Sequence, residues 1–449
     1  MITIEEKRNL YLGDDEKNKN EIDAKISEGI EKYRKGYCRI RIIDGNGNPI
    51  SGKTIKLTQK THDFKYGANI FMLDEFESEK DNAEYRRFFK EHFNLATVPF
   101  YWDALEPQEG KPRYDKNSEK IYRRPAPDLC VDYCEENGIL PKLHCLVYDK
   151  FTPEWLQKLP LDEVKKKYEE RFRQIAERYS GRMYEFEVIN ELLCESGWSL
   201  KTKLSDQKDI IEWSFNLARK YFPNEVLVIN EGNPISGLSR DDYRNPYYMM
   251  IENSLQKGTP IDKIGLQNHM FTGAMAKTPE QYESAVRNFD RRMCNPKSIW
   301  KGLDVISELG LPLELTEVTI PTLGDTIEDE ELQADMLKLW YSVWFSHPAV
   351  ETIVYWNTID GYAYDDGQNW NENNCRGGLW HHDLTPKKSA EMLKKLFNEI
   401  WHTDLELITD KDGYIDFRGF YGDYIAETDD GNFEISVHKN ENNSYEIVV

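Results

Sequence analysis

Positive charge is what this 449-residue sequence is short of: 58 Lys and Arg stand against 80 Asp and Glu, a formal net charge of −22. A surface of that sign repels phosphate backbones and anionic headgroups, which excludes nucleic acid and a membrane surface as expected partners. No apolar run reaches 18 residues, so no membrane-spanning helix is predicted. The opening Met1-Ile-Thr-Ile-Glu-Glu-Lys-Arg8 has no apolar core and no cleavage site. No secretory leader is read there, so a cytoplasmic location is expected, or a secreted one if a leader has been removed. The seven cysteines (38, 130, 134, 145, 194, 294 and 375) are odd in number and scattered. They offer no disulfide framework, and Cys130 and Cys134 have no second pair to complete a zinc site. No His-x-His ends the first barrel strand, and His381-His382 stands in a loop without clustered ligands. A metal-dependent hydrolase is therefore disfavoured, and neither metal nor organic cofactor is expected.

What is present is a strand–helix alternation. Strands are predicted at 64–70, 93–100, 140–147, 185–191, 226–232, 263–269, 312–318 and 352–358, with helical stretches between them. In 205–224, Ile211, Phe215, Ala218 and Phe222 share one helical face. Acids open helices at Asp162-Glu163 and Glu328-Asp-Glu330, and Pro386 opens one over 386–401. Eight such units predict a (β/α)8 barrel. The open doubly wound sheet would want a Gly-rich phosphate loop after the first strand, and Tyr66-Gly-Ala-Asn-Ile70 is not one.

The flanks differ. Residues 1–35 are charged and helical. Residues 37–60 alternate on either side of an Asp44-Gly-Asn-Gly-Asn48 turn and predict a β-hairpin. Residues 403–449 return to short strands. There Asp410-Lys-Asp-Gly-Tyr-Ile-Asp416 lacks the bidentate Glu of a calcium loop and reads as a hairpin turn. The expected division is an N-terminal helical segment (1–35), a hairpin (36–62), a catalytic barrel (63–401) and C-terminal strands (402–449). Neither β segment is large enough to stand alone, so the two are expected to form one accessory β-sandwich.

Barrel chemistry gathers at the C-terminal strand ends. Glu185-Phe-Glu-Val-Ile-Asn-Glu191 and Pro312-Leu-Glu-Leu-Thr-Glu-Val318 end the fourth and seventh strands on carboxylates. Two such groups are what glycoside hydrolysis needs: one protonates the leaving oxygen, the other attacks the anomeric carbon or activates water. Other strand ends add His144, Asn190, Asn230, Gln267 and His269, and Trp356. Any one of these is more often a structural or rim residue than a functional one; six consecutive polar ends are harder to explain by packing. Alternation turns Glu314 away from Glu317, toward the helices.

These motifs resemble glycoside hydrolase family 10, the retaining β-1,4-xylanase family of (β/α)8 glycosidases. Val188-Ile-Asn-Glu191, Ile229-Asn230, Gly265-Leu-Gln-Asn-His269 and Leu315-Thr-Glu-Val318 carry the likeness, with Trp102-Asp-Ala-Leu-Glu-Pro-Gln-Glu-Gly110 after the second strand. The resemblance implies Glu191 as acid/base and Glu317 as nucleophile. It implies Asn190 on the sugar 2-hydroxyl, His269 orienting Glu317 and keeping it charged, Gln267 in support, and His144 on a hydroxyl of the cleaved sugar. Asn230, Lys142, Trp356, Tyr148, Tyr101 and Tyr364 complete the expected substrate-binding set. The family's Glu-Asn pair and following Lys on the second strand are replaced by Thr97, Val98 and Tyr101, and its Trp-His on the third by Tyr148-Asp149. An oligo- or polysaccharide is thus the expected partner, with a decorated or non-xylan β-glycan favoured through stacking on Tyr101 or Tyr148. The alternatives are an exo-acting or non-xylan glycosidase on the same machinery, and a catalytically silent carbohydrate-binding protein.

Overall fold

A computed structural model describes residues 2–195 and 201–449. Two strands, β1 (Lys35–Ile43) and β2 (Thr54–Gln59), precede the barrel. The barrel strands are β3 (Lys65–Asn69), β4 (Leu95–Pro99), β5 (Leu140–His144), β6 (Glu185–Asn190), β7 (Val226–Glu231), β8 (Lys263–His269), β9 (Leu313–Thr319) and β10 (Val350–Tyr355). They pair in parallel in chain order, and β10 closes on β3. The eight expected strands and the (β/α)8 architecture are all present.

The surrounding helices follow their apolar spacing. In Leu161–Tyr179, Val164, Tyr168, Phe172, Ile175 and Tyr179 are buried at steps of three and four, and Asp162 and Glu163 occupy the first turn. Ile327–Ser346 opens with a capping box in which the Thr326 side chain and Asp329 bond each other's backbone N–H. The last helix starts after Pro386, not at it: Lys387 caps Lys388–Lys395, and a π-turn over Leu396–Ile400 finishes it.

An N-terminal helix, Ile4–Arg34, lies along the barrel wall. Lys7 pairs with Asp329 at 2.7 Å. At the other end Arg34 is buried, and its guanidinium donates to the carbonyls of Phe345, His347 and Val350 at 2.5–2.6 Å. These carbonyls end the helix Ile327–Ser346 and open the strand after it, and a cation at the helix end is favoured by the helix dipole.

The sandwich forms, but not from hairpins as expected. β1 and β2 do not pair. β1 lies between β12 (Tyr414–Phe420) and β15 (Ser444–Val448); β2 lies between β11 (Asp404–Ile408) and β13 (Gly422–Thr428), with β14 (Gly431–Val437) at the edge. The turn at Asp410–Gly413 likewise passes from one sheet to the other. Only β13 and β14, joined at Asp429–Gly431, make a hairpin among these connections. The reason is burial: Ile40, Ile42, Ile55, Leu57, Phe417, Tyr424 and Ile435 all face one shared core. Strands split between facing sheets cover one another's apolar sides, which a flat hairpin cannot do. Gly422 makes one crossing possible: its φ is +149°, and a Cβ there would meet the Thr61 carbonyl oxygen at 2.1 Å.

The barrel centre is charged rather than filled with branched apolar side chains. Lys142 pairs with Glu314 and lies 3.5 Å from Glu185 and 3.7 Å from Glu187; Lys263 lies 2.7 Å from Glu185 and 3.9 Å from Glu314. All five are at most 3% exposed. Burial and the neighbouring Glu185 raise Glu314 to about 8, whereas the two lysines overcome burial and lower Glu185 to about 2. Glu314 therefore points inward, contrary to simple alternation. The β8–β9 register shifts between Leu266/Leu315 and Gln267/Glu317, a bulge at Thr316 that lets residues 314 and 317 share the interior. Among the described residues, no helix is long and apolar enough to cross a membrane.

Candidate active site

Above this charged column the C-terminal strand ends open into a cavity of about 500 Å³. Of the expected residues, Tyr101, His144, Tyr148, Asn190, Glu191, Gln267, His269, Glu317, Trp356 and Tyr364 line it.

Two local distortions aim the carboxylates. The bulge at Thr316 keeps both Thr316 and Glu317 on the inner side of the barrel: Thr316 Oγ1 donates to Asn230 Oδ1 at 2.6 Å, and Glu317 lines the cavity. On β6 the register with β7 shifts between Glu187 and Ile189, which brings Asn190 opposite Asn230. Glu191 then leaves the strand with a positive φ of 55°, while its N–H remains bonded to the Asn230 carbonyl at 3.1 Å. A positive φ at a glutamate is sparsely populated, and such strain concentrates at functional sites.

Gln267 joins the two carboxyls. Its Nε2 donates to Glu191 Oε1 at 2.8 Å and to Glu317 Oε1 at 3.0 Å. With one nitrogen between them, those oxygens are separated by at most about 6 Å. A contact of that length is compatible with the ~5–5.5 Å spacing of the carboxyl groups in retaining enzymes.

Glu317 is 5% exposed and accepts three N–H donors: Asn230 Nδ2 at 3.1 Å, Gln267 Nε2 at 3.0 Å and His269 Nε2 at 3.0 Å. Burial nevertheless pushes its carboxyl well above the usual range, and the charges of Glu187 and Glu191 act the same way. The expectation that His269 keeps this group charged holds only in part. Burial lowers His269 to about 4, so it is neutral and helps as a hydrogen-bond donor rather than as a cation. Its Nδ1 meets Thr319 Oγ1 at 2.9 Å, which suits an Nε2–H tautomer facing Glu317.

Both oxygens of Glu191 are also engaged: Tyr148 Oη donates to Oε2 and Gln267 to Oε1. His144 lies between Tyr101 Oη, 3.0 Å from its Nε2, and Glu187 Oε1, 2.8 Å from its Nδ1. Burial alone would lower the His144 pKa, but the Glu187 charge overcomes it and raises the pKa. His144, Cys145 and Glu187 have donor atoms within 4.8 Å of one another. A cation there would compete with the His144–Glu187 contact and face Lys142, so this trio fits an ion pair better than a metal site.

Two expected substrate contacts lie elsewhere. Lys142 is fully buried beneath the cavity floor, where three glutamates compensate its charge. Asn230 is 1% exposed and does not line the cavity; its Nδ2 reaches Glu187, Asn190 and Glu317, and its Oδ1 accepts from Thr316. Both are supports rather than sugar contacts. Tyr101 lines the cavity, but the Arg124 guanidinium covers one face of its ring at 3.9 Å, and Phe151 meets it edge-on. That face is not available for stacking on a sugar.

Arg123, Arg124, Phe71, Lys150, Phe151, Phe271 and Glu372 also line the cavity and were not anticipated. They come from loops, where no periodicity marks a facing direction. The one signal available was Arg123-Arg124-Pro125, two adjacent like charges outside any helical pattern.

The chain was compared with known proteins. It is 27% identical to the anti-sigma-I factor RsgI6 of Acetivibrio thermocellus, over 89% of this chain and 45% of that protein. It is 25% identical to endo-1,4-beta-xylanase 1 of Arabidopsis thaliana, over 90% of this chain and 37% of the relative. The chain thus spans less than half the length of either. Endo-1,4-beta-xylanase B of Thermotoga neapolitana is 25% identical over 68% of this chain and 79% of its own length. Among solved structures, xylanase 10B from Thermotoga petrophila RKU-1 in complex with xylobiose superposes with a TM-score of 0.58 at 20% identity, covering 75% of this chain and 95% of that one. The model for glycosyl hydrolase family 10 matches residues 60–395, the whole barrel with the two glutamates at its mouth, and the chain belongs to that family.

Proposed function

We propose that this protein is a retaining β-glycoside hydrolase, endo-β-1,4-xylanase-like, with Glu317 as nucleophile and Glu191 as acid/base. The observation that carries this reading is the single Gln267 nitrogen bonded to both carboxylates, which brings one oxygen of each close enough to the other for the retaining arrangement. Glu317 attacks the anomeric carbon while Glu191 gives its proton to the departing oxygen. A glycosyl ester forms on Glu317. Glu191, now ionised, takes a proton from water as that water attacks the same carbon, and the ester breaks with net retention. The burial that raises Glu317 also increases its driving force once ionised, because an underhydrated carboxylate gains more by spreading its charge into a bond.

The neighbours support this division of labour. Asn190 Oδ1 is occupied by Asn230 and Gln267, which leaves its amide N–H groups for the sugar 2-hydroxyl. His144 Nε2 lies 3.0 Å from Tyr101 Oη; an N–H at that position donates to the hydroxyl oxygen and frees the tyrosine proton for a sugar hydroxyl. The relatives include xylanases, and one solved xylanase structure holds xylobiose. Here Thr97, Val98 and Tyr101 stand where the family has Glu, Asn and Lys, Tyr148-Asp149 stands for its Trp-His, and the cavity wall adds Arg123 and Arg124. We therefore assign the substrate to decorated or non-xylan β-glycans rather than to linear xylan.

The test is a panel of poly- and oligosaccharides with the anomeric protons followed by NMR as bonds break. Retained configuration is the expected outcome. Inversion, or glycan binding with no turnover on any β-glycan, would overturn the reading; the second result would favour a silent binding protein.

A further inference from the structure

We propose that Arg124 forms a carboxylate-recognition site in the catalytic cavity, and that the glycan it serves carries a uronic acid. This deepens the glycosidase reading and rests on it.

Most arginine side chains in this acidic protein are spoken for. Arg86 pairs with Asp74, Arg178 with Asp128 and Arg182 with Glu135. Buried Arg34 takes three backbone carbonyls instead. Arg124 does neither. Among the described residues its side chain makes one hydrogen bond, from Nη1 to the Arg123 carbonyl at 2.9 Å. Among the described residues, no carboxylate pairs with it. A guanidinium has five N–H donors, so most of those on Arg124 are uncommitted, and the side chain lines the cavity that holds Glu191 and Glu317.

The group is also held in place. Its guanidinium carbon lies over the Tyr101 ring, 3.9 Å from the centroid, with the Phe71 centroid at 5.4 Å and that of Phe151 at 5.8 Å. Stacking fixes the plane and leaves the edge, where the N–H groups are, to meet a ligand. The backbone contributes: Arg123 adopts a positive φ of 59° immediately before it. The Arg123 side chain is buried behind it, bonded to Asn357 Oδ1 at 3.1 Å and to the Tyr362 carbonyl. It too has no ion-pair partner among the described residues, so two positive charges sit side by side and feel Glu372 and Asp103 only at longer range. The cavity's own acids are committed elsewhere. Glu372 accepts from Asn357 and Trp370, and Asp366 accepts the backbone N–H groups of Gln368, Asn369 and Trp370.

A planar, fixed fork with a second positive charge behind it suits a planar anion bound through two parallel N–H···O bonds. On a glycan that anion is the C6 carboxylate of a uronic acid. Neutral hydroxyls use such a fork poorly and leave its charge uncompensated.

The test compares one xylo-oligosaccharide bearing a single glucuronic acid with its carboxyl-reduced counterpart, which is neutral but otherwise the same. Hydrolysis is measured as kcat/KM, and binding by calorimetry on Glu317→Gln enzyme. The acidic form should be preferred by about tenfold or more, the scale on which bonds to charged partners exceed neutral ones. The preference should shrink as salt rises from 20 to 500 mM. In Arg124→Gln the ratio should collapse toward one, whatever the absolute rates, and Arg124→Lys should restore only part of it. Equal kcat/KM or equal affinity for the two forms in the wild-type chain overturns the proposal without needing any variant. Preferential binding of the acidic form without cleavage supports the Arg124 site and overturns the glycosidase reading. Equal binding without cleavage overturns both.

Discussion

Replacing Gln267 by Met removes the one donor shared by the two carboxylates while nearly preserving side-chain length. Its Nε2 lies 2.8 Å from Glu191 and 3.0 Å from Glu317. A hydrogen bond to a charged acceptor contributes about 1.5–3 kcal/mol; divided between two acceptors, about 0.7–1.5 kcal/mol falls to Glu317. At 1.36 kcal/mol per unit that is about half to one pH unit. The direction follows from the chemistry: the donor favours the ionised form, so deleting it raises a pKa that burial has already raised. The nucleophile must be ionised to attack, so the acid limb of kcat/KM should move up by that half to one unit. An aryl β-glycoside with a good leaving group is the substrate of choice, because little protonation by Glu191 is then needed. A variant whose plateau falls but whose acid limb stays in place would refute the argument. The same shift has a stability side. A carboxyl whose folded pKa is raised binds its proton more tightly in the native state. Its contribution is fully present below the unfolded value near ~4.3 and is lost as pH rises through the folded pKa. Glu317→Gln should therefore raise Tm at neutral pH while abolishing turnover.

Glu191→Ala should retain measurable activity on nitrophenyl glycosides and lose it on oligosaccharides, because only the poorer leaving group needs a proton; equal loss on both would reverse the role assignment. Tyr148→Phe removes the hydroxyl donating to Glu191 and should lower kcat on oligosaccharides by about tenfold, the effect of one such bond, with a smaller change on aryl glycosides. Lys142→Met strips the cation from three buried glutamates and should destabilise the fold by about 3–5 kcal/mol in urea unfolding, as breaking a buried pair does; a loss under ~1 kcal/mol would mean the column is not held by charge.

Much of this protein is determined locally. Apolar residues at periods of two and 3.6 mark the barrel strands and the outer helices, and the carboxylates, amides and histidines at strand ends mark the mouth. Those signals depend on a residue and its near neighbours, so they survive in one dimension. Tertiary structure decided what depends on a partner strand. β1 and β2 alternate like a hairpin, yet they fall in opposite sheets because their apolar faces are buried only across the sandwich core. Glu314 turns inward beneath Glu317 because a bulge at Thr316 resets the count against β8. Lys142 lies at the middle of β5 and Asn230 one residue before the end of β7, and the folded barrel buries both outside the cavity lining. Arg124 comes from a loop with no period at all. Its place over Tyr101 arises because the folded chain brings that loop to the mouth, and contact between distant segments has no local signature in sequence.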